Sequence, residues 1–112
     1  MKITIDRAAL LKPLAHVQSV VERRNTIPIL ANVLLRAGDG TLSLTATDMD
    51  LDVVESVGCS VDQPGQTTVP AHTLYEIVRK LQDGSEVELT ANGDSGRMSI
   101  RAGRSNFSLP TL

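Results

Sequence analysis

Two helical stripes, each followed by three alternating segments, constrain this chain more than any other feature. Between Arg7 and Val21 the apolar residues Leu10, Leu14, Val17 and Val21 recur at helical spacing. Between Pro70 and Leu81, the residues Leu74, Ile77, Val78 and Leu81 do the same. The first stripe is preceded by the alternating segment Lys2–Ile5. It is followed by Asn32–Ala37, by Thr41–Thr47, and by a continuation through Met49, Leu51 and Val53. The second is preceded by Thr67–Val69 and followed by Glu86–Thr90, Met98–Ala102 and Ser105–Leu109. The order strand, helix, three strands therefore occurs twice, in halves of about fifty residues, as a weak duplication of pattern rather than identity. It predicts a single α+β domain over residues 1–112, with two helices packed on one side of mostly antiparallel sheets.

Local signals set the boundaries. Asp6 suits the N-cap of the first helix, and Pro13 inside it predicts a bend. Glu22 to Thr26 breaks the periodicity and Pro28 keeps that stretch from continuing as helix, which predicts a loop. Gly38-Asp39-Gly40 is a hairpin turn signal. The alternation slips at Val53-Val54, which predicts a bulge. Gln63-Pro64-Gly65, Asp83-Gly84, the Gly-rich 92–96 stretch and Gly103-Arg104 mark the remaining turns.

Composition narrows the function classes. Hydrophobic residues are 41% and charged residues 21%, the balance of a soluble globular chain. The only aromatics are Tyr75 and Phe107, so the core is aliphatic and no ring platform for single-stranded bases is available. No apolar run approaches the ~20 residues of a membrane span. The single Cys59 fits a reducing cytoplasm and reads as a small strand residue. Net charge is −2, so any contact with nucleic acid must come from the placement of the 11 basic residues, not from their total.

Four constellations could carry function. Lys12, His16, Ser19 and Arg23 share one helix face opposite the apolar stripe, and Arg24 extends the patch into the loop. Spacing alone fits either a phosphate-facing surface or an ordinary solvated face. Asp48, Asp50 and Asp52 alternate, as a metal-dependent nucleic-acid enzyme would need or as any outward strand face would. His16 and His72 lack any surrounding catalytic motif. Phe107 and Leu109 form an apolar stripe beside Arg101 and Arg104, consistent with core or with an edge that pairs with another chain.

Several blocks, in unbroken order from residue 1, resemble the beta subunit of bacterial DNA polymerase III, the sliding clamp. They include Leu10-Leu11-Lys12-Pro13-Leu14, Thr26-Ile27-Pro28-Ile29-Leu30-Ala31-Asn32, Leu42-Ser43-Leu44-Thr45-Ala46-Thr47-Asp48 and Gly103-Arg104-Ser105-Asn106-Phe107-Ser108-Leu109-Pro110. The resemblance implies the first of three similar domains, with domains two and three lying beyond this chain. It implies a non-catalytic, cytoplasmic processivity factor without a cofactor. Two such subunits close head to tail around duplex DNA, and the polymerase subunit and clamp loader dock on a pocket in the absent part. Lys12, His16, Arg23 and Arg24 would then face DNA. Phe107, Leu109 and Ile77 would meet the second subunit, with Arg97 and Arg104 facing its acidic groups. Thr73 stands where the family often has a basic residue, which removes one expected ion pair. A lone first domain would not encircle DNA, and its exposed Phe107 edge would favour self-association.

Overall fold

A computed structural model describes residues 1–24, 32–47, 52–92 and 96–111; of 20–24, 47 and 52 only the backbone is described. The chain forms β1 (Lys2–Asp6), α1 (Arg7–Arg24), β2 (Asn32–Gly38), β3 (Thr41–Thr47) and β4 (Asp52–Gly58). It continues with β5 (Ser60–Gln63), β6 (Gly65–Pro70), α2 (Ala71–Lys80), β7 (Glu86–Asn92), β8 (Arg97–Ala102) and β9 (Ser105–Pro110). All described pairings are antiparallel.

The expected duplication is present, and its halves interlock. One sheet has the order β5-β1-β7-β8-β9 and the other β4-β3-β2-β6. Strand β1 thus pairs with β7 from the second half, and β6 pairs with β2 from the first. Apart from β5, each sheet is the other's counterpart, with β4 and β9 as equivalent edges.

The helices form on the predicted stripes. Leu10, Leu14 and Val17 of α1 and Leu74 and Val78 of α2 are fully buried. They meet an aliphatic core built from alternate strand residues such as Ile3, Leu35, Leu44, Leu89 and Ile100. Asp6 caps α1 as expected, accepting a bond from the Ala9 amide at 3.3 Å. The helices lie antiparallel. Arg7, at the start of α1, donates to the Val78 and Arg79 carbonyls at the end of α2, whereas Gln18 further along α1 bonds His72 at the start of α2.

Three expectations need correction. First, α1 runs through Pro13 to Arg24, so Arg23 and Arg24 are helical where the sequence suggested a loop. Glu and Arg are good helix formers, so the loss of apolar period at residue 22 does not end the helix. Second, β3 and β4 pair in unbroken register from Thr41↔Gly58 to Thr47↔Asp52, without a bulge at Val53-Val54. The apparent slip arises because Val54 points outward, 58% exposed, and Glu55 points inward. Third, Ser60–Gln63 is a separate strand beside β1. Its only apolar residue is Val61, so it carries no readable period.

The turns follow their chemistry. Asp39 and Gly40 take φ of 52° and 71° between paired Gly38 and Thr41, the two positive values that a tight hairpin with right-handed strand twist requires. Gly65 serves close approach instead. A Cβ there would lie 3.1 Å from the Met1 nitrogen and 3.2 Å from its Cα. Met1 cannot retreat, because its nitrogen donates to the Ala91 carbonyl at 3.0 Å and its carbonyl accepts from the Ala91 amide at 2.9 Å. Gly65→Ala is therefore expected to lower stability by about 1–2 kcal/mol. Gly38→Ala, with nothing within 4 Å, should leave it within ~0.5 kcal/mol. Urea midpoints of the two variants provide the comparison.

Candidate nucleic-acid interface and sheet edges

Helix α1 buries one side against β3 and β4 and meets α2 on another. At 3.6 residues per turn, positions 12, 19 and 23 fall on the side away from the core stripe. Lys12 is exposed and Ser19 half-buried. Arg23 and Arg24 occupy the last turn of the helix. All four basic candidates, Lys12, His16, Arg23 and Arg24, thus come from one continuous helix.

His16 has a different environment. It turns toward β4, and its Nδ1 bonds the Glu55 carboxylate. The carboxylate occupies a ring nitrogen and sets a negative charge beside it, so His16 offers a phosphate less than Lys12 does. Glu55 is the inward acid that disturbed the β4 alternation, so one side-chain contact accounts for both observations.

Helix α2 contributes basic groups that the sequence reading passed over. Arg79 and Lys80 are exposed in its last turn, on the side away from Leu74 and Val78. Arg79 is committed locally: it donates to Glu76 at 2.5 Å and lies 5.9 Å from the centre of the Tyr75 ring. The hydrogen bond from Arg79 holds the Glu76 carboxyl below its ordinary pKa. The available signal for Lys80 was its opposition to the stripe, as for Lys12 on α1.

The metal and catalytic alternatives gain nothing from the described residues. Asp48 and Asp50 lie outside them, and only the backbone of Asp52 is described. Among the described residues no three potential metal ligands cluster. His72 bonds Gln18 at 3.1 Å, tying the helices together. Cys59 is half-buried where β4 gives way to β5, and burial pushes its thiol pKa up, away from the reactive thiolate.

Strand β9 is the edge of its sheet. Phe107 and Leu109 lie on one face, as alternation requires, but their environments differ. Phe107, opposite Ile100, is 40% exposed, whereas Leu109, opposite Met98, is 3% exposed. Leu109 is therefore core within this chain. Burial along β9 increases away from the Gly103–Arg104 turn, and the exposed apolar surface reduces to Phe107. On α2, Ile77 is half-buried and Thr73 exposed. Arg97 and Arg104 are exposed; Arg97 donates to the Ser108 hydroxyl at 2.7 Å and to its carbonyl at 3.3 Å. No helix among the described residues is long and apolar enough to cross a membrane.

The family described as "DNA polymerase III beta subunit, N-terminal domain" matches residues 1–112. The beta sliding clamp of Caulobacter vibrioides strain NA1000 is 62% identical over 112 residues, covering 100% of this chain and 30% of that protein. The beta sliding clamp of Escherichia coli K12 is 47% identical over 113 residues, with the same coverage. The crystal structure of the Caulobacter crescentus DNA polymerase sliding clamp superposes with a TM-score of 0.91 over all of this chain and 30% of that one, at 62% identity. DNA polymerase III subunit beta from Pseudomonas aeruginosa gives 0.89 at 42% identity, with the same coverage. The chain spans about 30% of the length of these relatives. With the family matched from its first residue to its last, and the interlocked α+β fold shared with the solved clamps, this chain belongs to the DNA polymerase III beta subunit family, as its N-terminal domain.

Proposed function

We propose that this domain forms one segment of a DNA sliding clamp, a ring that holds a polymerase on duplex DNA without chemistry of its own. The observation that carries the proposal is the placement of Lys12, Arg23 and Arg24 along one helix, in a chain of net charge −2. A protein that gripped DNA by charge alone would be basic overall. A ring needs only weak, sequence-independent phosphate contacts on its inner wall, so that it stays linked and still slides. Acidic residues elsewhere discourage DNA from binding outside. His16, paired to Glu55, is a secondary contributor to the inner wall.

The β9 edge and α2 supply the subunit interface in this reading. Phe107 and Ile77 are its apolar part, Arg97 and Arg104 its charged part, and Thr73 a neutral position at its margin; Leu109 supports Phe107 from within. The polymerase catalytic subunit and clamp loader bind the parts of the protein beyond this chain. The assembly works in the cytoplasm.

The test uses the full-length clamp. Replacing Lys12, Arg23 and Arg24 with alanine one at a time should weaken DNA affinity similarly across sequences. Each change should reduce the slope of log affinity against log salt by about 1 per lost phosphate contact. Unchanged slopes and unchanged loading would remove these residues from the DNA interface. The 112-residue chain alone should fail to remain on a nicked circle after loading, whereas the full-length clamp should remain until the circle is cut.

A further inference from the structure

Alternate residues of β2 face opposite sides of its sheet. Leu35 and Ala37 are buried in the core, so Arg36 and Gly38 lie on the outer face, away from the helices. Cross-strand pairing brings other polar residues to that face. Ser43 and Gln66 stand on either side of Arg36, and Thr41 stands opposite Gly38. Gly38 has no side chain, and a Cβ built there would meet nothing within 4 Å. The space is part of a hollow of about 500 Å³ walled by Arg36, Thr41, Ser43 and Gln66, with Asp39 where the strand enters its turn. The groups around this hollow are not used within the fold. Arg7, Arg79 and Arg97 each donate to acceptors of the protein. The Arg36 guanidinium, the Asp39 carboxylate and the Gln66 amide have no side-chain partner among the described residues.

We propose that this hollow captures the free C-terminus of a peptide chain, with the terminal carboxylate on Arg36, Ser43 and Gln66 and a main-chain N–H on Asp39. A guanidinium fork matches the two oxygens of a carboxylate. The Ser43 hydroxyl and the Gln66 amide, from the strands on either side, add neutral donors. Asp39 selects among anions. A phosphate ester carries about two negative charges near neutral pH, which Asp39 repels, and it has no N–H to offer in return. A side-chain carboxylate holds no N–H at a set distance, whereas a C-terminus always does. Arg36 and Asp39 are three positions apart, at most roughly 10 Å along the chain. The long Arg36 side chain shortens that span to the reach of a peptide's last two residues. The hollow lies across the sheet from α1 and away from β4 and β9. The inference therefore does not depend on the DNA-facing role of Lys12, Arg23 or Arg24, or on the subunit interface.

Saturation-transfer NMR on the full-length clamp tests it, with acetyl-glycyl-glycine as the probe. The acid should bind about tenfold more tightly than its C-terminal amide, the loss expected for a charged hydrogen-bond partner. Inorganic phosphate at equal concentration should not displace it. Arg36→Gln removes the fork, and Gly38→Val fills the hollow without meeting a neighbour. Each should weaken the acid about tenfold while the thermal midpoint stays unchanged. Asp39→Asn, an exchange that a positive φ tolerates, should weaken the acid and let phosphate compete. Binding that persists unchanged in Arg36→Gln and Gly38→Val would place the carboxylate elsewhere and overturn the proposal. Equal binding of acid and amide, or no binding of the acid, would overturn it as well. Displacement by phosphate from the unaltered clamp would overturn it in favour of an unselective anion site.

Discussion

Leu10→Ala and Leu74→Ala should each cost about 3 kcal/mol of stability, within the range for deleting three buried carbons and leaving a partly collapsed cavity. Both leucines are fully buried, each in the first turn of its helix. The duplication makes them counterparts: α1 begins at Arg7 and α2 at Ala71, so each leucine is the fourth residue of its helix. Equivalent surroundings predict costs that agree within ~1 kcal/mol. A domain of this size is stable by about 5–15 kcal/mol, so either change removes a large share. Thermal unfolding should shift by roughly 10–15 °C. Lys12→Ala, at an exposed position two residues along, should stay within ~0.5 kcal/mol. A much smaller cost at one leucine than at the other would show that the halves, though alike in topology, differ in how far the core can close over a cavity.

The halves were legible in the sequence because burial in this fold is periodic. Leu10, Leu14 and Val17 repeat every three or four residues, and Leu42, Leu44 and Ala46 every two, so the solvent boundary is written along the chain. Where a residue's environment depends on a distant partner, that writing stops. Glu55 points inward because His16, 39 residues earlier, meets it. From β4 alone this looked like a bulge. Ser60–Gln63 becomes a strand because β1 lies beside it, and its own composition does not require one.

The candidate site was legible to a similar depth. Helical spacing placed Lys12 away from the core, but it could not show that His16 leans toward an acid. Alternation put Phe107 and Leu109 on one face, and only the three-dimensional cover decides that Leu109 is core while Phe107 projects. A period gives the direction of a side chain. How far the neighbouring layer extends above it is set by elements remote in sequence.

Arg7 is the residue on which that limit bears most, because all its described partners lie more than seventy positions away. Its guanidinium donates to the Val78 carbonyl at 3.1 Å, the Arg79 carbonyl at 2.7 Å and the Asp83 carboxylate at 2.7 Å. Two of these acceptors belong to the last turn of α2, where the helix dipole is negative; the Val78 carbonyl also accepts from the Leu81 amide at 3.2 Å. The side chains of the ion pair differ sharply in exposure, 12% for Arg7 and 95% for Asp83. An ion pair with so exposed an acid contributes little, whereas charge-assisted bonds from a largely buried guanidinium to carbonyls at the helix end contribute about 1.5–3 kcal/mol. Arg7→Met, which keeps much of the apolar stem, should therefore cost about 2 kcal/mol, and Asp83→Ala less than ~0.5 kcal/mol. Hydrogen exchange should localise the effect, with Arg7→Met opening the last turn of α2 while the β7–β8 amides follow global stability alone. Equal costs for the two variants would assign the contribution to the ion pair and overturn the capping role.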